Sequence, residues 1–151
     1  MVRDVSLGHN VKLPDMSLIN LYECTIGDDV TIGAFVEIGR NVFIGDGSKI
    51  GAGSFLPEGV FIEANVFIGP NVTFCNVKHP RAYISQKDSF IGALVKKGAM
   101  IGAGATVLPG VTIGEYAVVG AGAIVVDDVP AGNIVVSPKA VVIGKAVGDV
   151  G

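Results

Sequence analysis

Residues 26–51, IGDDVTIGAFVEIGRNVFIGDGSKIG, decide the fold of this chain, because an isoleucine returns at every sixth position. A glycine follows each of these isoleucines, and a valine or a serine stands four positions after each of the first four. Neither the helical period of about 3.6 nor the alternation of a simple strand produces this spacing. The pattern predicts short strands on the three faces of a prism, with one hexad per face and a coil of about 18 residues.

The same rhythm extends through most of the chain. Upstream, Leu7, Leu13 and Ile19 hold the phase, and one additional residue before Ile26 predicts a bulge at a corner. Residues about 18 positions apart should stack into three inward ladders, with coils about 4.8 Å apart. The repeated positions further along are Ile32, Ile38, Ile44, Ile50, Leu56, Ile62, Ile68, Phe74, Val95, Ile101, Val107, Ile113, Val119 and Val125.

The length of 151 residues predicts a single domain, and the periodicity divides it into segments. Regular coils are expected at about residues 7–75 and 95–130, and Pro130 is expected to end them. The segment 131–151 is apolar but irregular, so we expect it to form a final strand or a flap that covers the last coil.

The composition narrows the class of protein. Hydrophobic residues make up 50% of the chain and the mean hydropathy is +0.59, but glycines and charges interrupt the apolar runs, so we predict a soluble protein. The net charge is −3 with scattered basic residues, which argues against binding of nucleic acid or anionic lipid. Cys24 and Cys75 lie far apart without metal-site spacing, which is typical of reduced thiols in a cytoplasmic protein.

The six-residue phase is lost between Phe74 and Val95, which are 21 positions apart. Lys78 falls on an inward position of the continued pattern, where an unpaired ammonium group would be costly to bury. Residues 76–94 should therefore leave the coils, with a loop protruding at about residues 76–89. Polar residues on a loop held by a rigid scaffold are candidates for a functional site.

The chain resembles the hexapeptide-repeat acyltransferases over nearly its whole length. Their fold is an all-β, left-handed parallel β-helix, and they usually assemble as homotrimers. The segments FCNVKHPRA at 74–82 and LVKKGA at 94–99 are similar to those of acetyltransferases that act on nucleotide-linked amino sugars. The resemblance implies that the amine of such a sugar attacks the thioester of acetyl-CoA directly, without a covalent enzyme intermediate.

The loop supplies the candidate catalytic and acceptor-binding residues. The resemblance implies that Asn76 orients the acceptor amine, although Asn76 could instead start an Asx-type turn. His79 is one of two histidines, and an imidazole beside the loop could take the proton of the attacking amine. In relatives that carry another residue at this position, the departing CoA thiolate is thought to take the proton instead. Arg81 is a candidate ligand for a substrate phosphate, because its guanidinium group binds phosphate oxygens in pairs.

The resemblance also implies a place for the acyl-CoA, in a groove between neighbouring subunits. Its pantetheine arm would lie against coils rich in glycine and alanine, where Gly102, Ala103, Gly120 and Ala121 would offer unshielded backbone groups. These small residues could also serve only to pack the corners. Lys139 stands near the position where relatives carry a turn that approaches the CoA phosphates. Exposed apolar side chains such as Val118 and Phe61 give a physical motive for trimer assembly.

The residues disfavour one alternative function and leave two others open. A γ-type carbonic anhydrase has the same prism but needs three zinc-binding histidines, whereas this chain has only His9 and His79, so no metal is expected. An O-acetyltransferase would use the same acyl-CoA on a small hydroxyl acceptor. A non-catalytic β-helix scaffold would bind no CoA and would not need Asn76 or His79.

Overall fold

All but one of the strands are two residues long, in a computed structural model that describes residues 1–146 and 148. Two short 3-10 helices, Met16–Leu18 and Lys87–Ser89, interrupt the series. The strands are β1 Val2–Arg3, β2 Ser6–Leu7, β3 Asn20–Tyr22, β4 Thr25–Ile26, β5 Thr31–Ile32, β6 Glu37–Ile38, β7 Phe43–Ile44, β8 Lys49–Ile50, β9 Phe55–Leu56, β10 Phe61–Ile62, β11 Phe67–Ile68, β12 Thr73–Phe74, β13 Leu94–Val95, β14 Met100–Ile101, β15 Thr106–Val107, β16 Thr112–Ile113, β17 Val118–Val119, β18 Ile124–Val125 and β19 Ile134–Val135.

Successive strands go to three different sheets, and each strand pairs in parallel with the strand one coil away. Sheet A holds β1, β3, β6, β9, β12, β15 and β18; sheet B holds β2, β4, β7, β10, β13 and β16; sheet C holds β5, β8, β11, β14, β17 and β19. The coils form a left-handed parallel β-helix, which confirms the predicted fold class. No helix among residues 1–146 and 148 is long and apolar enough to cross a membrane.

The predicted inward ladders are present in all three sheets. Ile44 pairs with Ile26 and Ile62 in sheet B, and Leu56 pairs with Ile38 in sheet A. The side chains of these residues are almost completely buried, as are those of the smaller residues two positions before each of them. Burial of a continuous aliphatic column stabilises each coil only through its neighbours, so the stack forms as one unit.

Two serines lie in the core where the hexad pattern usually has valine or alanine. Ser54 is buried, and its hydroxyl donates to the carbonyl of Gly69 at 3.0 Å and accepts from the backbone N–H of Val72 at 3.2 Å. Ser48 makes the corresponding pair of bonds, with Glu63 O and Val66 N, in the preceding turn. Both hydroxyls therefore satisfy backbone groups of the next coil that would otherwise be buried without partners.

The N-terminal phase shift differs from the prediction. Leu21, not Ile19, pairs with Ile38 and occupies the inward ladder of sheet A, so the assignment of Ile19 to the series was wrong. The corner after Leu13 is lengthened by the 3-10 helix Met16–Leu18, whose N-cap Asp15 accepts a hydrogen bond from Ser17 N at 2.8 Å. The next corner is one residue short, so a longer corner and a shorter one replace the single predicted bulge.

Glycines at the corners serve two separate purposes. Gly47 has φ +70°, a left-handed conformation that asparagine also adopts at the equivalent Asn41. Gly51 follows an aliphatic residue, has no positive φ, and is required by space. A Cβ there would lie 2.4 Å from backbone atoms of Gly69 and Pro70 in the next coil. The repeated glycine after each aliphatic therefore reflects close contact between coils.

The C-terminal coil extends beyond Pro130. Val129 forms a bridge with Ile113, and β19 pairs with β17 as the last strand of sheet C. Beyond it the chain is exposed, and Ile143 keeps 96% of its surface accessible, so these residues do not cover the last coil. Residues 147 and 149–151 of the predicted strand or flap lie outside the described part of the chain.

The three edges of the prism differ in chemistry. We call the connections from sheet A to sheet B, which include residues 39–42, 57–60 and 75–93, the loop edge. We call the connections from sheet C to sheet A, which include residues 51–54, 102–105 and 120–123, the smooth edge. The third edge joins sheet B to sheet C and carries His9 and Glu115.

Candidate functional site

The predicted loop leaves the prism at the loop edge, between β12 and β13. Ile62 pairs with Ile44 on one side and with Val95 on the other, so the insertion leaves the register of the coils intact. The backbone N–H of Ile91 donates to the carbonyl of Asn76 at 2.8 Å and closes the base of the loop. The rigid coils on both sides therefore fix the two ends of the loop.

One side chain holds the loop in shape, and sequence reasoning missed it. The Gln86 amide nitrogen donates to the carbonyl of His79 at 2.8 Å, and its amide oxygen accepts from the backbone N–H of Arg81 at 2.9 Å. The backbone N–H of Ser89 donates to Gln86 O at 2.9 Å, the hydrogen bond that closes the 3-10 helix after Gln86. Gln86 thus ties the outgoing half of the loop to the returning half.

Asn76 lies at the base of the loop and is half-buried. Its amide nitrogen donates to the carbonyl of Glu58, one coil away, at 3.0 Å, so the side chain is not used in an Asx-type turn. This bond fixes the orientation of the amide group. Within the described residues the amide oxygen accepts no hydrogen bond, so it is available to a donor such as an amine.

A cavity of about 310 Å³ lies beside Asn76, on the outer surface of sheet A at the loop edge. We call it the loop-edge cavity. It combines aromatic walls with a guanidinium group, a carboxylate, a phenol and an amide. Sequence analysis missed most of these residues, because they are far apart in the chain. The lining residues are Tyr22, Arg40, Phe55, Pro57, Glu58, Asn76 and Phe90.

An ion-pair network supports one side of this cavity. The Arg40 side chain donates to the Glu23 carboxylate, with an Nε–Oε2 distance of 2.5 Å, and Arg3 binds the same carboxylate at 2.9 Å. The hydrogen bond from Arg40 lowers the pKa of Glu23, and the same bond raises the pKa of Arg40. Arg40 is therefore held in one orientation and already has an anionic partner.

Acidic groups dominate the surroundings of the Tyr22 hydroxyl in the same cavity. The hydroxyl donates to the Glu37 carboxylate at 3.3 Å. Burial raises the pKa of Tyr22, and the charges of Glu37 and Glu58 raise it further. Tyr22 is thus a neutral donor at physiological pH.

His79 and Arg81 lie further out on the loop, and both are exposed. His79 borders a smaller cavity of about 210 Å³ with Lys78 and Gln86, so the structure does not bring its ring into one cavity with Asn76. The Arg81 guanidinium donates to the carbonyl of Pro80 at 3.0 Å and otherwise faces solvent. The catalytic and phosphate-binding roles of these two residues stay predictions.

The predicted cofactor-binding residues lie on the smooth edge, at the opposite side of sheet A from the loop. The N–H groups of Gly102 and Gly120 donate to Val119 O at 2.7 Å and Val135 O at 2.8 Å, so these glycines pack the coils instead of offering free donors. The exposed surface comes from Ala103 and Ala121.

Lys139 lies beyond β19 and is exposed. Shortly before it, Ser137 approaches the smooth edge, where its hydroxyl donates to Gly122 O at 3.5 Å. Lys139 therefore follows a segment that already contacts this edge. Its binding of CoA phosphates, like the cofactor contacts of the four small residues, stays a prediction.

The histidines and cysteines form no metal site in the described part of the chain, where no three His, Cys, Asp or Glu side chains are suitably grouped. His9 lies on the third edge near Asp28, with Nδ1–Oδ1 at 3.4 Å, far in the fold from the loop that carries His79. Burial raises the pKa of Cys24 to about 11, so its thiol stays protonated as an inward residue of the coils. Cys75 is free and half-buried next to Asn76.

Solved structures with the same fold include acyltransferases. AntD, an N-acyltransferase from Bacillus cereus in complex with dTDP and 3-hydroxybutyryl-CoA, has a TM-score of 0.75 and 25% identity, covering 87% of this chain and 78% of its own. A variant of AntD in complex with dTDP-4-amino-4,6-dideoxyglucose and coenzyme A has a TM-score of 0.74 and 26% identity, with coverages of 89% and 79%.

A third structure shares the fold at lower identity. It is the acetyltransferase domain of PglB from Neisseria gonorrhoeae in complex with acetyl coenzyme A, with a TM-score of 0.68 and 20% identity. The match covers 80% of this chain and 52% of that one, so the chain spans about half the length of the PglB domain. No curated protein sequence matches the chain significantly.

The repeat itself identifies the family. Residues 23–58 and 88–127 match the family described as bacterial transferase hexapeptide (six repeats), and together they make up just over half of the chain. This match confirms the resemblance that the sequence predicts. The chain belongs to the bacterial transferase hexapeptide-repeat family.

Proposed function

We propose that this protein is an acyl-CoA-dependent N-acyltransferase that acetylates an amino sugar carried on a nucleotide. The observation that carries the proposal is the orientation of Asn76, whose amide nitrogen is held by Glu58 O and whose oxygen is left for an amine donor. The likeness to AntD, in complexes with dTDP-4-amino-4,6-dideoxyglucose and with acyl-CoA, supports the same chemistry.

The reaction forms one bond and breaks one. The neutral amine attacks the thioester carbonyl, a C–N bond forms, the C–S bond breaks, and CoA leaves as a thiolate. The Asn76 amide oxygen orients the amine but is too weak a base to take its proton. That proton passes to His79, acting as general base, or to the departing thiolate. Arg81, the exposed cation on the loop, binds a phosphate of the nucleotide.

Acetyl-CoA binds along the smooth edge in this proposal. The exposed methyl groups of Ala103 and Ala121, backed by Gly102 and Gly120, form a flat wall for the pantetheine arm. Lys139, in the exposed segment that follows this edge, pairs with the CoA phosphates. No resident metal or prosthetic group takes part. Acetyl-CoA and two free cysteines fit a cytoplasmic location.

A homotrimer completes the site in this proposal. In one chain the loop edge and the smooth edge lie at opposite sides of sheet A, so the loop of one subunit meets the smooth edge of its neighbour only in an assembly. Apolar side chains on the outer faces give this assembly a driving force. Phe61 is 44% exposed and stacks on Phe43 at a centroid distance of 4.7 Å, while Val118 is half-buried in the single chain.

Two measurements test the function. Coenzyme A at a hundredfold excess over its Kd should stabilise the protein by about 2.7 kcal/mol in thermal unfolding. Acetyl-CoA should then release free thiol in the presence of dTDP- or UDP-linked amino sugars and yield an N-acetylated product. No stabilisation by millimolar CoA favours a scaffold protein, and thiol release with hydroxyl acceptors alone favours an O-acetyltransferase. Either result would overturn the proposal.

A further inference from the structure

The loop-edge cavity adjoins the amide group of Asn76 and lies between the outer surface of the coils and the base of the loop. Its volume of about 310 Å³ is at the lower end of the range for small-molecule sites, which is roughly 300–1,000 Å³. Phe55 in β9 and Phe90 at the end of the loop are 38% and 36% exposed, so both rings offer accessible apolar surface. The cavity therefore combines apolar walls with polar groups at one end.

The charged side chains around the cavity differ in whether they have a partner of opposite charge. Arg40 and Arg3 are both bound to Glu23, and Glu37 accepts from Tyr22. Glu58 has no basic partner among the described residues, and its only side-chain bond is a long one from the Asn41 amide nitrogen at 3.4 Å. Among the described residues, the carboxylate that lines the cavity thus forms no direct ion pair, although its charge helps to raise the pKa of the nearby Arg40.

This combination suits a small ring that bears a positive charge. A pyranose has apolar C–H surfaces, which pack on aromatic rings, and an amine at neutral pH is largely an ammonium ion that pairs with a carboxylate. A neutral sugar would leave the Glu58 carboxylate without a cation. A nucleobase or an adenosine phosphate is disfavoured, because the free charge at the cavity is negative.

We propose that the loop-edge cavity binds the amine-bearing sugar ring of the acceptor, between Phe55 and Phe90, and that Glu58 is a positioning residue that pairs with its ammonium group. This inference rests on the proposed function and adds the place and the recognition of the acceptor. Asn76 holds the amine from the other side through its free amide oxygen. Its nitrogen is bound to Glu58 O, so the two residues are in direct contact.

Glu58 therefore acts on binding more than on the chemical step. Its carboxylate favours the charged form of the amine, which raises affinity but delays loss of the proton that precedes attack. Tyr22, Arg40, Glu37 and Glu23 are the other titratable groups around this cavity, and the first two are already fixed by carboxylates. Removing the Glu58 charge should weaken binding and let the bound amine deprotonate at lower pH.

The test compares matched ligands by calorimetry, without acyl-CoA, so that binding is measured apart from catalysis. The ligands are dTDP- and UDP-linked amino sugars, each paired with a counterpart that carries a hydroxyl in place of the amine. The unaltered protein should bind an aminated form about tenfold tighter than its counterpart, as expected for a hydrogen bond between charged groups at a half-buried carboxylate. Glu58→Gln keeps the side-chain shape and the backbone bond to Asn76, and it should remove this preference.

Two further variants control the result. Glu115→Gln removes an exposed carboxylate from the third edge and should leave the preference unchanged. Phe90→Ala should weaken both members of each ligand pair to the same extent, because it removes an apolar wall. In turnover, Glu58→Gln should raise KM for the acceptor about tenfold, leave kcat near its original value, and shift the rise of kcat to lower pH.

This inference would be overturned if Glu58→Gln still preferred the aminated ligands, or if the unaltered protein showed no preference in any ligand pair. Its failure is distinct from failure of the proposed function. Acetyl transfer with an unchanged KM in Glu58→Gln would keep the function and reject the cavity. A Glu58-dependent preference for amines without any transfer from acetyl-CoA would keep the cavity and reject the function.

Discussion

The loop edge and the smooth edge are built by the same hexads, yet they present opposite surfaces. The loop edge carries an ion-pair network, two cavities and a long insertion between β12 and β13. The smooth edge in its later coils carries only glycine and alanine at its turns, with the glycine N–H groups used between coils. Corners of a β-helix are therefore free to vary in the chemistry of their outward side chains, because the inward ladders and the backbone hydrogen bonds between coils maintain the stack.

This contrast suggests a division of tasks between the edges. A surface without projecting side chains suits a long flexible cofactor, which needs close contact along its length. A surface with an anchored loop suits an acceptor, which needs a few polar groups at fixed positions. Changes at the loop edge should therefore alter kcat and acceptor binding, and changes at the smooth edge should alter binding of acyl-CoA.

The largest effect is expected at His79. If its imidazole takes the proton of the amine, His79→Ala should lower kcat by about 10²–10⁴-fold with little change in KM for acetyl-CoA. Steady-state kinetics at several pH values measure both constants. His9→Ala, which removes the other exposed histidine from the third edge, is the matched control. A loss of less than about tenfold would assign the proton to the CoA thiolate and leave His79 a positioning residue.

A bulky side chain on the smooth edge should weaken binding of acetyl-CoA. Ala121 is exposed, so Ala121→Trp should leave the melting temperature unchanged while raising KM for acetyl-CoA about 100-fold or more, because the ring occupies the wall. Ala52→Trp places the same ring on the smooth edge, but in a coil that precedes the loop in sequence. It should have little effect on KM for acetyl-CoA. Equal effects of the two variants, or none from Ala121→Trp, would contradict cofactor binding at this edge.

Mixing these two impaired variants tests whether each site is shared between subunits. If each site takes its loop from one subunit and its smooth edge from another, co-refolded His79→Ala and Ala121→Trp chains should regain about one quarter of the original sites. Activity after mixing measures this directly. No recovery in mixed trimers would mean that both edges act from one chain, and an active monomer would remove the need for assembly.

The smallest effect is expected from a buried hydroxyl beneath the smooth edge. Ser54→Ala removes both bonds to the next turn and should lower the free energy of unfolding by about 1–3 kcal/mol, measured in urea. Thr73→Val, on the outer face of sheet A, should change it by about 0.5 kcal/mol or less. A similarly small loss for Ser54→Ala would indicate that Val72 N then bonds Gly69 O, as Val42 N bonds Gly39 O at 3.4 Å.

The candidate site was predictable in part. The break in phase after Phe74 located the loop, because a lysine at an inward position has no place in the core. The cavity beside it was not predictable, because its polar residues come from three different coils: Tyr22 ends β3, whereas Arg40 and Glu58 stand at unremarkable corners. Gln86 was missed for a related reason, since a clamp across a loop has no fixed sequence spacing.

The sequence by itself determined the prism and its three ladders, because a period of six allows one inward aliphatic per face and stacking then follows from burial. It also determined where the prism opens. The tertiary structure decided which edge carries the loop and which carries the small residues, since this depends on the sheet to which each strand belongs. It also decided that Leu21, not Ile19, pairs with Ile38 in the ladder of sheet A, although both residues are buried. There a longer corner and a shorter corner offset each other, and only the pairing with Ile38 distinguishes the two residues.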